Sequence, residues 1–236
     1  MITKYTFGSP FRTEAVIADI PACTQALPDA VGISKDSRTL TIKLAPDDII
    51  YGLGENIGGI NKRGRKYISN CTDDPNQTES RHSLYAAHNF AVIDGENICM
   101  GLFIDYPSIV TFDIAFTDKD VMTIDEADYD LYIIEGKSPL EIIGEFRKII
   151  GESYIAPKWA FGYIQSRWGY INEKDVREVV SGHRDNHLPL DGICMDIDYM
   201  TRYEDFTINE ERFPDFADFV AEMKFDRLGA FTFSPE

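Results

Sequence analysis

Just past residue 135 the hydrophobic period of this chain changes from two to about 3.6, and any fold must house both halves. From about Thr39 to Glu135 the period is two. TLTIKL (39–44) alternates, and HNFAVID (88–94) and ICMGLFI (98–104) flank Asp94-Gly95-Glu96-Asn97, a hairpin turn opening on Asp-Gly. VTFDIAF (110–116), VMTI (121–124) and YDLYIIE (129–135) continue the series across short polar breaks. Short strands at this spacing, with no helices between them, indicate an antiparallel sandwich.

Ser138-Pro139-Leu140-Glu141 then reads as a capping box with proline at the first helical position, so a helix starts here. Ile142, Ile143, Phe146, Ile149 and Ile150 form its apolar stripe, and Gly151 ends it. Beyond the connector Ser153–Lys158 the order is strand, helix, strand. AFGYIQS (160–166) reads as a strand, and Asn172 caps a helix with Val176, Val179 and Val180 on its apolar face. GICM (192–195) is short and wholly apolar, as a parallel strand covered on both faces should be. A second helix follows Pro214-Asp215, with Phe216, Phe219, Val220 and Met223 on one stripe, and LGAFTF (228–233) is a candidate third strand. Alternating βαβ units require a parallel sheet, either a barrel or a doubly wound one.

Charge narrows the partners. With 23 Lys+Arg against 40 Asp+Glu, the formal charge of −17 repels nucleic-acid phosphates and anionic membranes. The N-terminus lacks an apolar leader core, and no run is long enough to span a bilayer. Cys23, Cys71, Cys99 and Cys194 have no C-x-x-C spacing and read as reduced thiols of a cytoplasmic protein.

Parallel α/β architectures place ligands at the carboxyl ends of their strands, because the connecting loops open there. Asp196 and Asp198 hold such a position, and Trp168 ends the preceding strand. An aromatic beside carboxylates suits a sugar, whose C–H faces lie on the ring while the acids accept hydroxyl protons. Each residue also has an ordinary reading: an acidic residue after a strand is as often a cap, and a tryptophan is more often core or interface. On a strand the two aspartates would share a face with Cα atoms roughly 6.6 Å apart. A glycosidase acid–nucleophile pair must instead flank the scissile bond, so the dyad is rejected. Asp-x-Asp also occurs as a divalent-metal clamp in nucleotide-sugar transferases, but nothing basic or Gly-rich nearby forms a diphosphate cradle. The four histidines lack metal-ligand spacing, and the glycines of YGLGENIGG read as turn glycines.

A resemblance gathers these pieces. Tyr51-Gly52-Leu53-Gly54-Glu55, Asn70-Cys71-Thr72-Asp73, Pro157-Lys158-Trp159, Gln165-Ser166-Arg167-Trp168-Gly169-Tyr170, Asp196-Ile197-Asp198-Tyr199-Met200, Asp205-Phe206-Thr207 and Phe213-Pro214-Asp215 occur in order. The series resembles glycoside hydrolase family 31, most closely its bacterial α-glucosidases, from about Tyr51 to Lys224. The resemblance implies an N-terminal β-sandwich (1–136), a linking helix and connector (137–158), and the first strands of an incomplete (β/α)8 TIM barrel (159–236). It implies that Asp196 hydrogen-bonds the hydroxyls of the sugar in subsite −1 and that Ile197 walls that pocket. Asp73 matches the acidic residue on a sandwich loop reaching the same sugar, Trp168 matches an aromatic position there, and Asp198 is structural.

The same resemblance implies a retaining mechanism whose nucleophile and acid come from later barrel strands. A barrel takes about 250 residues, so no catalytic residue is expected within this truncated chain, and no metal or cofactor. The expected ligand is a small α-gluco-oligosaccharide, with self-association through the incomplete barrel. A non-catalytic sugar-binding fragment and a metal-dependent glycosyltransferase are the competing readings.

Overall fold

The computed structural model describes residues 1–117, 120–124, 127–225 and 230–232, in two compact units, Met1–Glu152 and Ser153–Glu236. Among the described residues the first unit has ten strands. They are β1 (Ile2–Phe7), β2 (Val31–Ile33), β3 (Thr39–Ile42), β4 (Ile49–Gly52), β5 (Arg65–Ser69), β6 (Phe90–Asp94), β7 (Cys99–Asp105), β8 (Val110–Ile114), β9 (Asp120–Ile124) and β10 (Tyr129–Glu135). They form two five-stranded sheets, ordered β1-β10-β7-β6-β4 and β2-β3-β9-β8-β5. Every pairing within them is antiparallel. The expected 94–99 hairpin is present, with Asp94 opposite Cys99 and Gly95 N donating to Ile98 O at 2.8 Å.

Period two explains the core. Val110, Phe112 and Ile114 of β8 point inward and meet Leu102, Ile104, Leu131 and Ile133 of the facing sheet, while Thr111 and Asp113 take the other face. β10 departs from alternation because both its faces are covered: Tyr132 and Ile134 join a second cluster with Val92, Phe103, Ile142 and Ile149. That cluster lies under α1 (Pro139–Ile150). The helix begins as read, with Ser138 Oγ accepting from Glu141 N at 3.3 Å. The reciprocal arm is shifted by one residue, since Glu141 Oε2 accepts from Lys137 N at 3.0 Å. Ile142 and Ile149 are fully buried, whereas Ile143 and Ile150 sit on the exposed rim of the stripe. Phe146 stacks on Phe90 with ring centroids 3.8 Å apart. Contacts with β6, β7 and β10 thus put this helix in the first unit, where the sequence set 137–158 apart as a connector.

Gly101 makes the helix–sheet contact possible. A Cβ there would stand 2.5 Å from Ile142 Cγ2, so only glycine lets the helix settle onto β7. Gly52, with φ +111, is obligatory too, because a Cβ would meet Phe90 O at 2.4 Å.

The second unit is β11 (Ile164–Ser166), α2 (Glu173–Asp185), β12 (Gly192–Cys194), α3 (Phe216–Phe225) and β13 (Ala230–Thr232). Its strands run parallel in the order β11-β12-β13, with Ile164, Gly192 and Ala230 in register. The strand expected over 160–166 is shorter. Pro157 opens a 3-10 turn over Lys158–Phe161, Gly162 N closes it on Trp159 O at 3.0 Å, and pairing begins only at Ile164. Leu228, Gly229 and Phe233 of the candidate third strand lie outside the described residues. Asn172 caps α2 reciprocally: its Oδ1 accepts from Lys174 N and Asp175 N, and Asp175 Oδ2 accepts from Asn172 N. Val176, Val180, Ile193, Met195, Phe213, Phe219 and Met223 build the core between helices and sheet.

Candidate functional site at the strand ends

β11 ends at Ser166, and the next four residues leave it abruptly. Tyr170 is drawn wholly into the core, with Arg167 lying 5.3 Å over its ring and Gly169 turning at φ +107. Burial raises the Tyr170 pKa. This dive leaves Trp168 on the outside, 72% exposed.

β12 ends at Cys194. Met195 stays in the core, and the chain then turns at Asp196 with φ +60, a left-handed conformation that aspartate tolerates better than most residues. The sequence-based geometry therefore needs correction. Residues 196–198 are a turn rather than a strand, and the two aspartates meet different surroundings. Asp196 is half-buried, and its carboxylate forms no hydrogen bond or ion pair among the described residues. Ile197 is partly buried and packs against the core. Asp198 is 8% exposed. Its main-chain oxygen accepts from Arg212 Nη1 at 3.1 Å, and Tyr203 Oη lies 3.5 Å from its carboxylate. The dyad stays rejected, now because the residues lie in a turn, one carboxylate without a partner and the other buried.

The turn is held largely by residues the sequence reading did not single out, Thr201, Ile208, Asn209 and Arg212. Asn209 N donates to Tyr199 O at 2.8 Å, Thr201 N to Thr207 Oγ1 at 2.9 Å, and Thr201 Oγ1 to Ile208 O at 3.0 Å. Arg212 itself is anchored by its N–H on Asn209 Oδ1 at 3.2 Å. Apart from that last bond, these braces reach across six to fourteen residues, so no local period reveals them.

Asp73 lies in the first unit, on the loop between β5 and β6. Main-chain bonds tie this loop down: Ile68 N to His82 O and Thr72 N to Leu84 O, both at 2.8 Å. Asp74 pairs with Arg81 at 2.7 Å. Asp73 is exposed at the loop's outer part and accepts from Tyr85 Oη. That bond to an anion is the main reason the Tyr85 pKa is raised. The structure thus groups Trp168, Asp196 and Ile197 on strand ends of one unit, and Asp73 on a fastened loop of the other. His183 is spoken for by Val179 O at 2.8 Å.

Residues 24–113 match the family model described as the glycosyl hydrolase 31 N-terminal galactose mutarotase-like domain, and residues 153–232 match the glycosyl hydrolases family 31 TIM-barrel domain. The chain belongs to glycoside hydrolase family 31. Its sandwich is the mutarotase-like domain of family 31 and carries Asp73. Its parallel strands are the start of the family 31 TIM barrel and carry Trp168, Asp196 and Ile197. In barrels of this kind the carboxyl ends of strands are where chemistry is assembled.

Among curated proteins, α-glucosidase 2 of Bacillus thermoamyloliquefaciens is 33% identical over 180 residues, 75% of this chain and 23% of that protein. The α-xylosidase of Emericella nidulans is 25% identical over 228 residues, 94% of this chain and 28% of that protein. Among solved structures, the Flavobacterium johnsoniae GH31 dextranase complexed with isomaltotriose shares the fold with a TM-score of 0.73 at 23% identity, covering 88% of this chain and 25% of that one. This family 31 chain therefore spans about a quarter of the length of such relatives.

Proposed function

We propose that the chain is the sugar-recognising portion of a retaining α-glucosidase-type family 31 hydrolase, which releases glucose from the non-reducing end of α-glucosides. Asp196 accepts hydroxyl protons of the terminal glucose, Ile197 and Trp168 wall the pocket, and Asp73 on the sandwich loop is a further sugar-binding residue. The observation that carries this reading is the unpartnered, half-exposed Asp196 carboxylate at the end of β12, beside a buried and committed Asp198. Relatives named α-glucosidase in a bacterium and in Saccharolobus solfataricus support glucose as the sugar. The nucleophile and the acid lie outside these 236 residues in this reading, so the pure chain binds without turnover. Four unpaired cysteines support a reducing, cytoplasmic compartment.

Calorimetry with maltose tests it. Binding near a millimolar Kd corresponds to about −4 kcal/mol. Losing a charge-assisted hydrogen bond of about 1.5–3 kcal/mol weakens that by more than tenfold, out of calorimetric range. Asp196→Ala and Asp196→Asn should both remove the strand-end component of the heat, the second without disturbing the left-handed turn, while Asp205→Asn should leave it. Undiminished binding in Asp196→Asn would overturn the assignment. Hydrolysis of maltose or an aryl α-glucoside by the wild-type chain would overturn the placement of the nucleophile. Mn²⁺-dependent binding of a nucleotide sugar would favour a transferase instead.

Self-association belongs to the same proposal. Among the described residues β11 and β13 each pair on one side only, and Ile155, Phe161 and Phe206 are more than 80% exposed. Unpaired edges beside apolar side chains recruit further chains. Sedimentation velocity should show concentration-dependent oligomers. A monomer at every accessible concentration would sink this part.

A further inference from the structure

α1 and the segment carrying Val16 and Ile20 cover much of the outward face of the sheet β1-β10-β7-β6-β4. Beyond them, where Phe103 and Asp105 end β7, a cleft of about 660 Å³ opens. Its volume lies within the range of roughly 300–1,000 Å³ typical of small-molecule sites. A neighbouring cleft of about 490 Å³ shares two residues with it, Thr13 and Asp105. Asp105 therefore stands at the divide, with its carboxylate accepting from Thr13 Oγ1 at 2.6 Å.

The lining of the larger cleft decides what could enter. It contains no lysine or arginine, so a phosphate or carboxylate ligand would find no counter-charge. Burial pushes the Asp105 carboxyl up, and the Asp130 carboxylate opposite it on β10 adds to this. A carboxyl in that position gains from neutral hydroxyl donors. Ser69, Asn70, His88 and Ser108 supply both donors and acceptors around the rim, and Tyr106 and Ile109 supply apolar surface. This mixture matches a polyhydroxylated, uncharged ligand with one C–H face.

We propose that this cleft is a second sugar site, in the sandwich itself, taking one or two neutral hexose units with Asp105 as the central hydroxyl acceptor. The site does not depend on the reading of Asp196. Asn70 and His88 stand at the two ends of the β5–β6 loop that carries Asp73, so a bound sugar braces the root of that loop.

Hydrogen exchange of the 236-residue chain in maltose tests the proposal. The Ile104 amide, which donates to Asn89 O at 2.9 Å, reports on the cleft wall. At a sugar concentration ten times Kd, exchange in peptides covering 66–72 and 100–110 should slow about tenfold by mass action. The slowing should persist in Asp196→Ala and disappear in Ser108→Trp, which fills the cleft from an exposed turn. Unchanged exchange of β1 and β10 without sugar certifies that the tryptophan variant is folded, and Ile109→Trp repeats the block from the next residue. The proposal is overturned by absence of slowing at saturating maltose, by slowing that survives both tryptophans, or by slowing lost in Asp196→Ala. Protection at the cleft without protection around 194–200 would support this site and count against the strand-end one.

Discussion

Phe213→Ala should unfold the second unit while leaving the first intact. Phe213 is fully buried, lies edge-on to Phe216 and contacts Phe219, and its N–H donates to Asn209 O at 2.9 Å. Removing a buried phenylalanine costs about 3–5 kcal/mol. A unit this small holds only about 4–13 kcal/mol at about 0.05–0.15 kcal/mol per residue. Little is left, and the open sheet edges lower the starting figure further. Exchange protection should therefore vanish across β11, α2, β12 and α3 but persist in β6, β7 and β10. The maltose binding proposed for Asp196 should go with it, although Asp196 itself is untouched. Retained protection in α2 would show that Phe213 is not the keystone described here.

The second large effect belongs to the sandwich. Ile142→Ala should cost about 2–5 kcal/mol and, at about 2–4 °C per kcal/mol for a unit of this size, lower the first unit's Tm by roughly 4–20 °C. The residue beneath Ile142 is Gly101, which has no side chain to fill the space left behind. Coupling between the two makes the test sharper. Gly101→Ala alone should destabilise, because its Cβ would press on Ile142 Cγ2. In the Ile142→Ala background the same change should cost less, since only the 3.2 and 3.3 Å approaches to Phe90 and Ile134 remain. A double-mutant cycle with zero coupling would contradict the contact.

The parts of the fold that announce themselves in the sequence are those fixed by local chemistry. Asp94-Gly95 requires the β6–β7 turn, Ser138 and Asn172 need only the next three residues to cap their helices, and β8 alternates because one face alone is buried. β2 and β4, with three and four residues, are too short for a period to emerge. β1 depends on β10, more than 120 residues away, for its partner. At the candidate site, Asp196 and Trp168 follow from the rule that loops open at strand ends, whereas Ile197 and Asp73 come only from the resemblance. Their surroundings follow from neither. That Asp196 turns left-handed, or that Arg212 holds the carbonyl of Asp198, is settled by contacts between distant residues.

The pairing of β1 with β10 also sets a clock for synthesis. Ile2 lies opposite Ile134 and Phe7 opposite Tyr129, so β1 is made more than 120 residues before the strand that satisfies it. At about 5–20 residues per second, a ribosome takes roughly ten seconds to reach the partner strand. Throughout that interval the nascent sandwich has an open edge, and Phe103 and then Tyr132 stay uncovered until the helix that follows them is made. Closure over so long a loop makes this a high-contact-order, slow-folding unit. Chaperone occupancy during translation should therefore fall only once Ile149 has left the exit tunnel.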